Sequence, residues 1–86
     1  PQTGMFGVTT PRDEQAATRA NGGTIGFNAK SKAEVDAWHA AALANGGTCD
    51  GPPGSRPYSD MPMYGAYVRD PVGNKLCAFC VGEAAK

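Results

Sequence analysis

The sequence lacks any apolar run near the roughly 20 residues that a membrane-spanning helix requires. It also lacks a block of one charge, because eight basic and eight acidic side chains cancel along the chain. The first absence argues against a membrane span, and the second against nucleic acid or an anionic membrane as a partner. With only 86 residues the chain forms at most one domain. Its thin core should bury about 60–65% of the surface that the unfolded chain exposes.

The chain has an odd number of cysteines, so Cys49, Cys77 and Cys80 cannot all pair within one chain. No basic-then-apolar signal segment opens the sequence. A reduced, cytoplasmic protein is therefore expected. The chain begins at Pro1 without an initiator Met, so it was either processed or is a piece of a longer protein.

Cys77 and Cys80 match the C-x-x-C pattern of redox and zinc sites. Residues three apart on a strand point to opposite faces, so the two sulfur atoms should not converge. We interpret both as small apolar strand residues. Cys49 is interpreted as a filler at a loop or strand end.

Two predicted strands joined by a tight turn dominate the second half of the chain. Tyr64–Arg69 alternates large and small residues, and Lys75–Val81 contains Leu, Cys, Phe and Val. Between them lies the sequence D-P-V-G-N, in which Pro71 fixes its own φ and Gly73 accepts positive φ. These residues predict a hairpin.

A capping box predicts the start of a helix at Lys32. The Ser31 hydroxyl should accept the amide of Glu34, whose side chain should reach back to the amide of Ser31. The helix is predicted to end near Asn45, before two glycines. Trp38 is predicted to anchor the core, and His39, the one histidine, to lie at the core boundary on the side away from any cavity.

The remaining segments are short strands, loops and a tail. Strands are predicted at Met5–Val8, Thr24–Ala29 and, as a short piece, Gly47–Asp50. Proline and glycine predict loops at Pro11–Gly23 and Gly51–Met63. A frayed tail is predicted for Glu83–Lys86.

The D-P-x-G-N turn between two strands resembles the signature of the vicinal oxygen chelate superfamily, which includes glyoxalase, bleomycin resistance proteins and extradiol dioxygenases. Val72 stands where the third turn residue is usually Asp. Gly23-Thr24-Ile25-Gly26-Phe27 and the helix after it resemble the opening strand and helix of the same module, so the resemblance extends from Gly22 to Val81.

The resemblance implies an α+β fold: a β-α-β-β-β module with one helix packed on a mixed β-sheet. Such a module pairs with a second one to enclose a cavity. Residues 1–21 would be the last strand of a preceding module and a linker, residues 22–82 the module, and residues 83–86 a tail. The second module would be another copy, giving a homodimer, or a module in a segment outside this sequence.

Strand alternation sorts the side chains between the helix and the cavity. Ile25, Phe27, Val68 and the even-numbered residues of Lys75–Val81 should face the helix.

The long loop before the hairpin either closes over the cavity, with Arg56 meeting an anionic ligand, or is a solvated loop stiffened by its prolines. The candidate ligand-binding residues are Thr24, Asn28, Tyr67, Cys77 and Phe79 on the strands, with Arg56 and Tyr58 in the loop.

Metal-binding members of the superfamily use a His early in the first strand and a Glu after the turn. The matching positions here are Thr24 and Cys77, and neither residue is the usual ligand. A protonated hydroxyl is a poor metal ligand, and a single thiol is fewer protein ligands than such sites use. The resemblance therefore implies no metal ligand in this module and no cofactor, except a divalent metal supplied by another module.

Three functions follow from this resemblance, and the sequence leaves all three open because a fold does not determine a function. The first is a metal-free cavity that binds a small molecule. The second is a metal-dependent lyase, isomerase or dioxygenase whose metal ligands lie in a missing module. The third is a structural assembly fragment without a ligand. No catalytic residue is identified for a glyoxalase-like or dioxygenase-like reaction.

Overall fold

One helix packs on one face of a four-stranded sheet. The computed structural model describes residues 4–57 and 60–86. This architecture confirms the predicted α+β class and the β-α-β-β-β order. Tyr58 of the predicted site lies outside the described residues. The elements are β1 (Thr24–Asn28), α1 (Lys32–Ala44), β2 (Thr48–Ser55), β3 (Met63–Arg69), β4 (Lys75–Val81) and a 3-10 helix (Gly82–Ala85).

The sheet is mixed, as predicted. Its strand order is β1-β4-β3-β2, with β1 parallel to β4 and the other two pairs antiparallel. β1 and β2 are therefore the edge strands. Among the described residues, no helix is long and apolar enough to cross a membrane.

Local hydrogen bonds set both ends of α1. The Ser31 hydroxyl accepts the amide of Glu34 at 3.1 Å, as predicted. The Glu34 carboxylate accepts the amide of Lys30 at 2.8 Å, so the predicted return bond to Ser31 is shifted by one residue. At the other end Gly46 has a φ of 101°, and the Gly47 amide donates to the Ala42 carbonyl at 2.8 Å. The helix therefore ends in a left-handed glycine cap.

Asp70 organises the turn between β3 and β4. Its Oδ1 accepts the amides of Val72 at 3.0 Å and of Gly73 and Asn74 at 2.8 Å. Its Oδ2 accepts the Asn74 side-chain amide at 3.0 Å. The Asn74 side-chain bond and then the backbone bonds lower the pKa of Asp70 from its ordinary value, against the opposing effect of burial. The hairpin prediction is thus confirmed with nearly the predicted bounds.

The core is small and consists mostly of short side chains. It lies between α1 and one face of β3 and β4, so the orientation predicted for Val68 and Cys80 is confirmed. Trp38 is half-buried against this core, and its ring centroid lies 6.3 Å from that of Phe27. The buried side chains are Val35, Ala66, Val68, Cys77, Ala78, Cys80 and Ala85, of which Cys77 faces away from the helix.

β2 is longer than predicted, because it continues to Ser55 through Pro52 and Pro53. Its register against β3 shifts between Cys49 and Gly51 and again between Gly51 and Gly54. Proline is tolerated here because β2 is an edge strand with bulges, where a missing amide donor interrupts no second ladder.

Both ends of the chain also differ from prediction. Residues 4–23 contain no strand, so the strand predicted at Met5–Val8 is wrong within this chain. Among the described residues this segment meets β1 through side chains, with the Phe6 and Phe27 ring centroids 5.4 Å apart, and forms no backbone ladder with it. At the other end the predicted frayed tail is a 3-10 helix, in which Ala85 is 5% exposed and packs into the core cluster.

Candidate ligand-binding face

The sheet face away from α1 brings the predicted strand residues together in rows. We call this surface, with its residues from β1, β3 and β4, the open face. One row places Gly26 beside Cys77 and Cys77 beside Tyr67. The next row places Asn28 beside Phe79 and Phe79 beside Gly65. The open face comprises Thr24, Gly26, Asn28, Met63, Gly65, Tyr67, Arg69, Lys75, Cys77 and Phe79.

The centre of the open face is apolar. A Cβ atom built on Gly26 would lie 3.1 Å from the Phe79 ring and 3.3 Å from the Cys77 Sγ atom, so both side chains lean over that glycine. Cys77 is 9% exposed. Burial raises the pKa of its thiol, against a smaller lowering by Lys75. Cys77 therefore contributes a neutral thiol to this surface.

Two cations flank the Tyr67 ring. Lys75 Nζ lies 4.8 Å and Arg56 Cζ 5.6 Å from the ring centroid, both within cation–π range. Arg56 also donates from Nη2 to the Pro52 carbonyl at 2.6 Å. The structure thus brings Arg56 beside Tyr67.

Asp50 balances part of this positive charge. Its Oδ2 lies 3.1 Å from Arg69 Nε and 3.4 Å from Lys75 Nζ. The sequence-based prediction omitted Asp50 and Arg69 as site residues. The strand predicted at Gly47–Asp50 was too short to fix its register against β3. The contact follows from that register, in which Thr48 pairs with Arg69.

The donors on the open face do not fit the metal that the fold family implies. Thr24 pairs with Lys75 in the sheet, which places an ammonium-bearing residue beside its hydroxyl. Cys77 carries a neutral, buried thiol. Across the described ranges 4–57 and 60–86, no group of three or more His, Cys, Asp or Glu side chains could hold a metal ion. Neither Thr24 nor Cys77 therefore offers the kind of donor that such a metal requires.

The C-x-x-C cysteines lie on opposite sides of the sheet. Cys80 packs with Val35 in the core cluster, whereas Cys77 lies beside Gly26 on the open face. All three cysteines are free thiols. The interpretation of Cys77 and Cys80 as strand residues rather than a redox or zinc pair is therefore confirmed.

A shallow hollow of about 670 Å³ adjoins the open face at the end of β1. Thr24 and Lys75 line it together with Phe6, Val8 and Arg12 of the N-terminal segment. The Ala20 amide donates to Asn74 Oδ1 at 2.6 Å and ties that segment to the hairpin turn. Thr24 therefore lies at the boundary between the hollow and the open face.

On the helix side, His39 meets Cys49. The His39 Nε2 and Cys49 Sγ atoms are 3.2 Å apart. His39 lies on α1, away from the open face, as predicted. The sequence did not indicate this contact, because it depends on how α1 lies over β2.

A β-α-β-β-β module with one covered and one open face defines the class of protein. The family model of the Glyoxalase/Bleomycin resistance protein/Dioxygenase superfamily matches residues 3–78. The chain belongs to this superfamily, as its hairpin predicted. No curated protein matches the chain significantly.

Solved structures agree with this assignment. The chain is 53% identical to a glyoxalase/bleomycin resistance protein from Albidiferax ferrireducens T118, with a TM-score of 0.78 over 84% of this chain and 59% of that one. A glyoxalase/bleomycin resistance protein/dioxygenase family enzyme from Burkholderia phytofirmans PsJN is 23% identical, with a TM-score of 0.62 over 81% of this chain and 51% of that one. A glyoxalase-related enzyme from Fulvimarina pelagi is 20% identical, with a TM-score of 0.64 over 86% of this chain and 56% of that one. The last two show the fold alone. The chain spans between half and three fifths of the length of these three structures.

Proposed function

We propose that the open face is one wall of a cavity that binds a small, partly apolar anion without a metal ligand from this module. The observation that carries the proposal is the Tyr67 ring, flanked by Arg56 and Lys75 beside Cys77 and Phe79. Ligand sites typically combine an apolar lining with a few fixed polar groups. This surface has both.

Each side chain of the wall has a distinct role in this proposal. Tyr67 and Phe79 contact the apolar part of the ligand, and Arg56 meets its negative charge with a planar guanidinium. Asp50 engages Arg69 and Lys75, whereas Arg56 is held by the carbonyls of Pro52 and Ser55. Among the described residues no carboxylate forms an ion pair with Arg56, which supports this choice. Thr24 and Asn28 add hydrogen-bonding groups at the β1 edge.

The opposite wall is supplied by a second module, which is another copy of this chain or a module elsewhere in a longer protein. Ile25 on the β1 edge is 46% exposed and Phe6 beside it 51% exposed. Exposed apolar side chains along an unpaired strand edge favour a covering partner. The length of the neighbours relative to this chain agrees with a missing module.

Binding is tested with a panel of small aromatic and aliphatic carboxylates, each paired with its neutral amide. Thermal-shift measurements identify ligands, and calorimetry gives their affinities. Arg56→Gln should weaken carboxylate binding by about 10- to 100-fold, the equivalent of one charged hydrogen bond. Lys32→Gln is the matched control, because Lys32 lies 5.3 Å from the Tyr64 ring centroid on the helix side.

Two results would overturn the proposal. One is carboxylate binding that Arg56→Gln leaves unchanged. The other is elemental analysis that finds one zinc, nickel or iron per chain, lost on Cys77→Ala. The second result would show that this module supplies a metal ligand, and a panel without any ligand would favour the structural fragment.

A further inference from the structure

Cys49 and His39 form a pair outside the open face. Cys49 is exposed at the start of the edge strand β2, and half-buried His39 reaches it from α1. The separation of 3.2 Å between Nε2 and Sγ is within hydrogen-bonding distance for sulfur. A nucleophilic atom and a proton acceptor are thus held together where solvent reaches the sulfur.

The other two thiols differ from Cys49 in both access and chemistry. Cys77 is 9% and Cys80 1% exposed. Burial raises the pKa of both, which keeps them protonated and unreactive. The Cys80 thiol also donates to the Ala84 carbonyl at 3.5 Å. Cys49 alone among the three combines exposure with a contact to an imidazole.

The surroundings of Cys49 leave its sulfur open to attack a reagent. The next residue, Asp50, directs its carboxylate to Arg69 and Lys75 on the other side of the sheet. Cys49 lies opposite Val68 in the register and so on the helix side. Cys77 and Cys80 are buried elsewhere in the sheet, so neither thiol can displace an adduct from Cys49 to form an internal disulfide.

We propose that Cys49, with His39 as its proton acceptor, is a site of reversible mixed-disulfide formation with low-molecular-weight disulfides. In the tautomer whose Nε2 is unprotonated, His39 takes the thiol proton as the Cys49 sulfur attacks one sulfur of the reagent. A new S–S bond forms while the reagent's S–S bond breaks. The leaving thiolate takes the proton from His39, so atoms and electrons balance and the reagent is the oxidant.

The test uses the full chain and oxidised glutathione, with intact mass spectrometry as a function of time and peptide mapping of the adduct. One glutathione should add to the native chain at Cys49, and a reducing thiol should remove it. Cys49→Ser should abolish the adduct. His39→Gln should slow its formation by about tenfold, less than a general base achieves in an enclosed active site. Ala40→Gln, an exposed change on the same helix, is the matched control and should leave the rate unchanged.

Circular dichroism confirms that each variant is folded before rates are compared. If His39→Gln reacts as fast as the parent chain and the Ala40→Gln control, the role of His39 is refuted. If Cys77 or Cys80 takes up glutathione in the folded chain as readily as Cys49, the selectivity of the site is refuted. Both readouts are independent of ligand binding on the open face.

Discussion

The ring of Phe79 lies over Gly26, so that a Cβ atom on Gly26 would be 3.1 Å from it. Gly65 has an equally short distance of 3.1 Å, but to the backbone carbonyl of Ala78. The two glycines lie on either side of β4 and differ in what they meet. The Phe79 ring can rotate away, whereas the Ala78 carbonyl belongs to a strand held on both sides.

We expect Gly26→Ala and Gly65→Ala to separate these two cases. Gly26→Ala should change the free energy of unfolding by less than about 0.5 kcal/mol. Alanine lowers the entropy of the unfolded chain, which stabilises the fold, and the cost of moving the Phe79 ring offsets this gain. Gly65→Ala should cost about 1–3 kcal/mol, as overpacking against backbone does. Urea denaturation measures both values. Equal losses would mean that the Phe79 ring is as fixed as the strand.

Trp38→Ala should destabilise the chain by about 3 kcal/mol, the low end for removal of a large aromatic side chain, because Trp38 is only half-buried. His39→Ala should cost less than about 1 kcal/mol, since a boundary residue leaves no cavity. Chemical denaturation of the two variants in parallel gives the comparison. A larger loss for His39→Ala, or loss of ligand binding with the fold intact, would show that α1 is oriented differently.

Asp70 should make stability depend on pH in the acid range. Because the fold lowers the pKa of Asp70 below its unfolded value of about 3.9, its stabilisation is present above that value. It is lost as pH falls through the folded pKa. Asp70→Asn should weaken this acid sensitivity. The measurement is the urea midpoint at neutral pH and at successively lower pH values.

Asp13→Asn is the control for that series, because Asp13 is exposed and accepts one local bond, from the Gln15 amide at 3.0 Å. It should leave the pH dependence of the midpoint nearly unchanged. An acid transition that is identical in Asp70→Asn and the parent chain would show that other carboxylates cause it.

The folded chain should be a dimer. A two-fold pair would cover the open face and the exposed apolar residues near β1, and such an interface would be obligate. The melting temperature should then rise with protein concentration, and light scattering across a dilution series should show dimers. A compact monomer that unfolds cooperatively at low concentration would contradict both the dimer and a cavity enclosed by a second copy of the chain.

Most of the module could be predicted from the sequence because its signals are local. The hairpin turn rests on bonds from Val72, Gly73 and Asn74 to Asp70, and the helix start rests on Ser31 and Glu34. Alternation along β3 and β4 then assigned Tyr67 and Cys77 to one face and Val68 and Cys80 to the other. These features need no information from distant parts of the chain.

The side-chain contacts of the site and the core that the sequence missed join residues that are far apart in it. Asp50 meets Arg69 and Lys75 only because β2 pairs in one register with β3. His39 meets Cys49 only because α1 lies over β2. The tail becomes a 3-10 helix because Ala85 finds a place in the core. The local sequence determined which elements form and which way their side chains face, while packing and register decided which charges and thiols have partners.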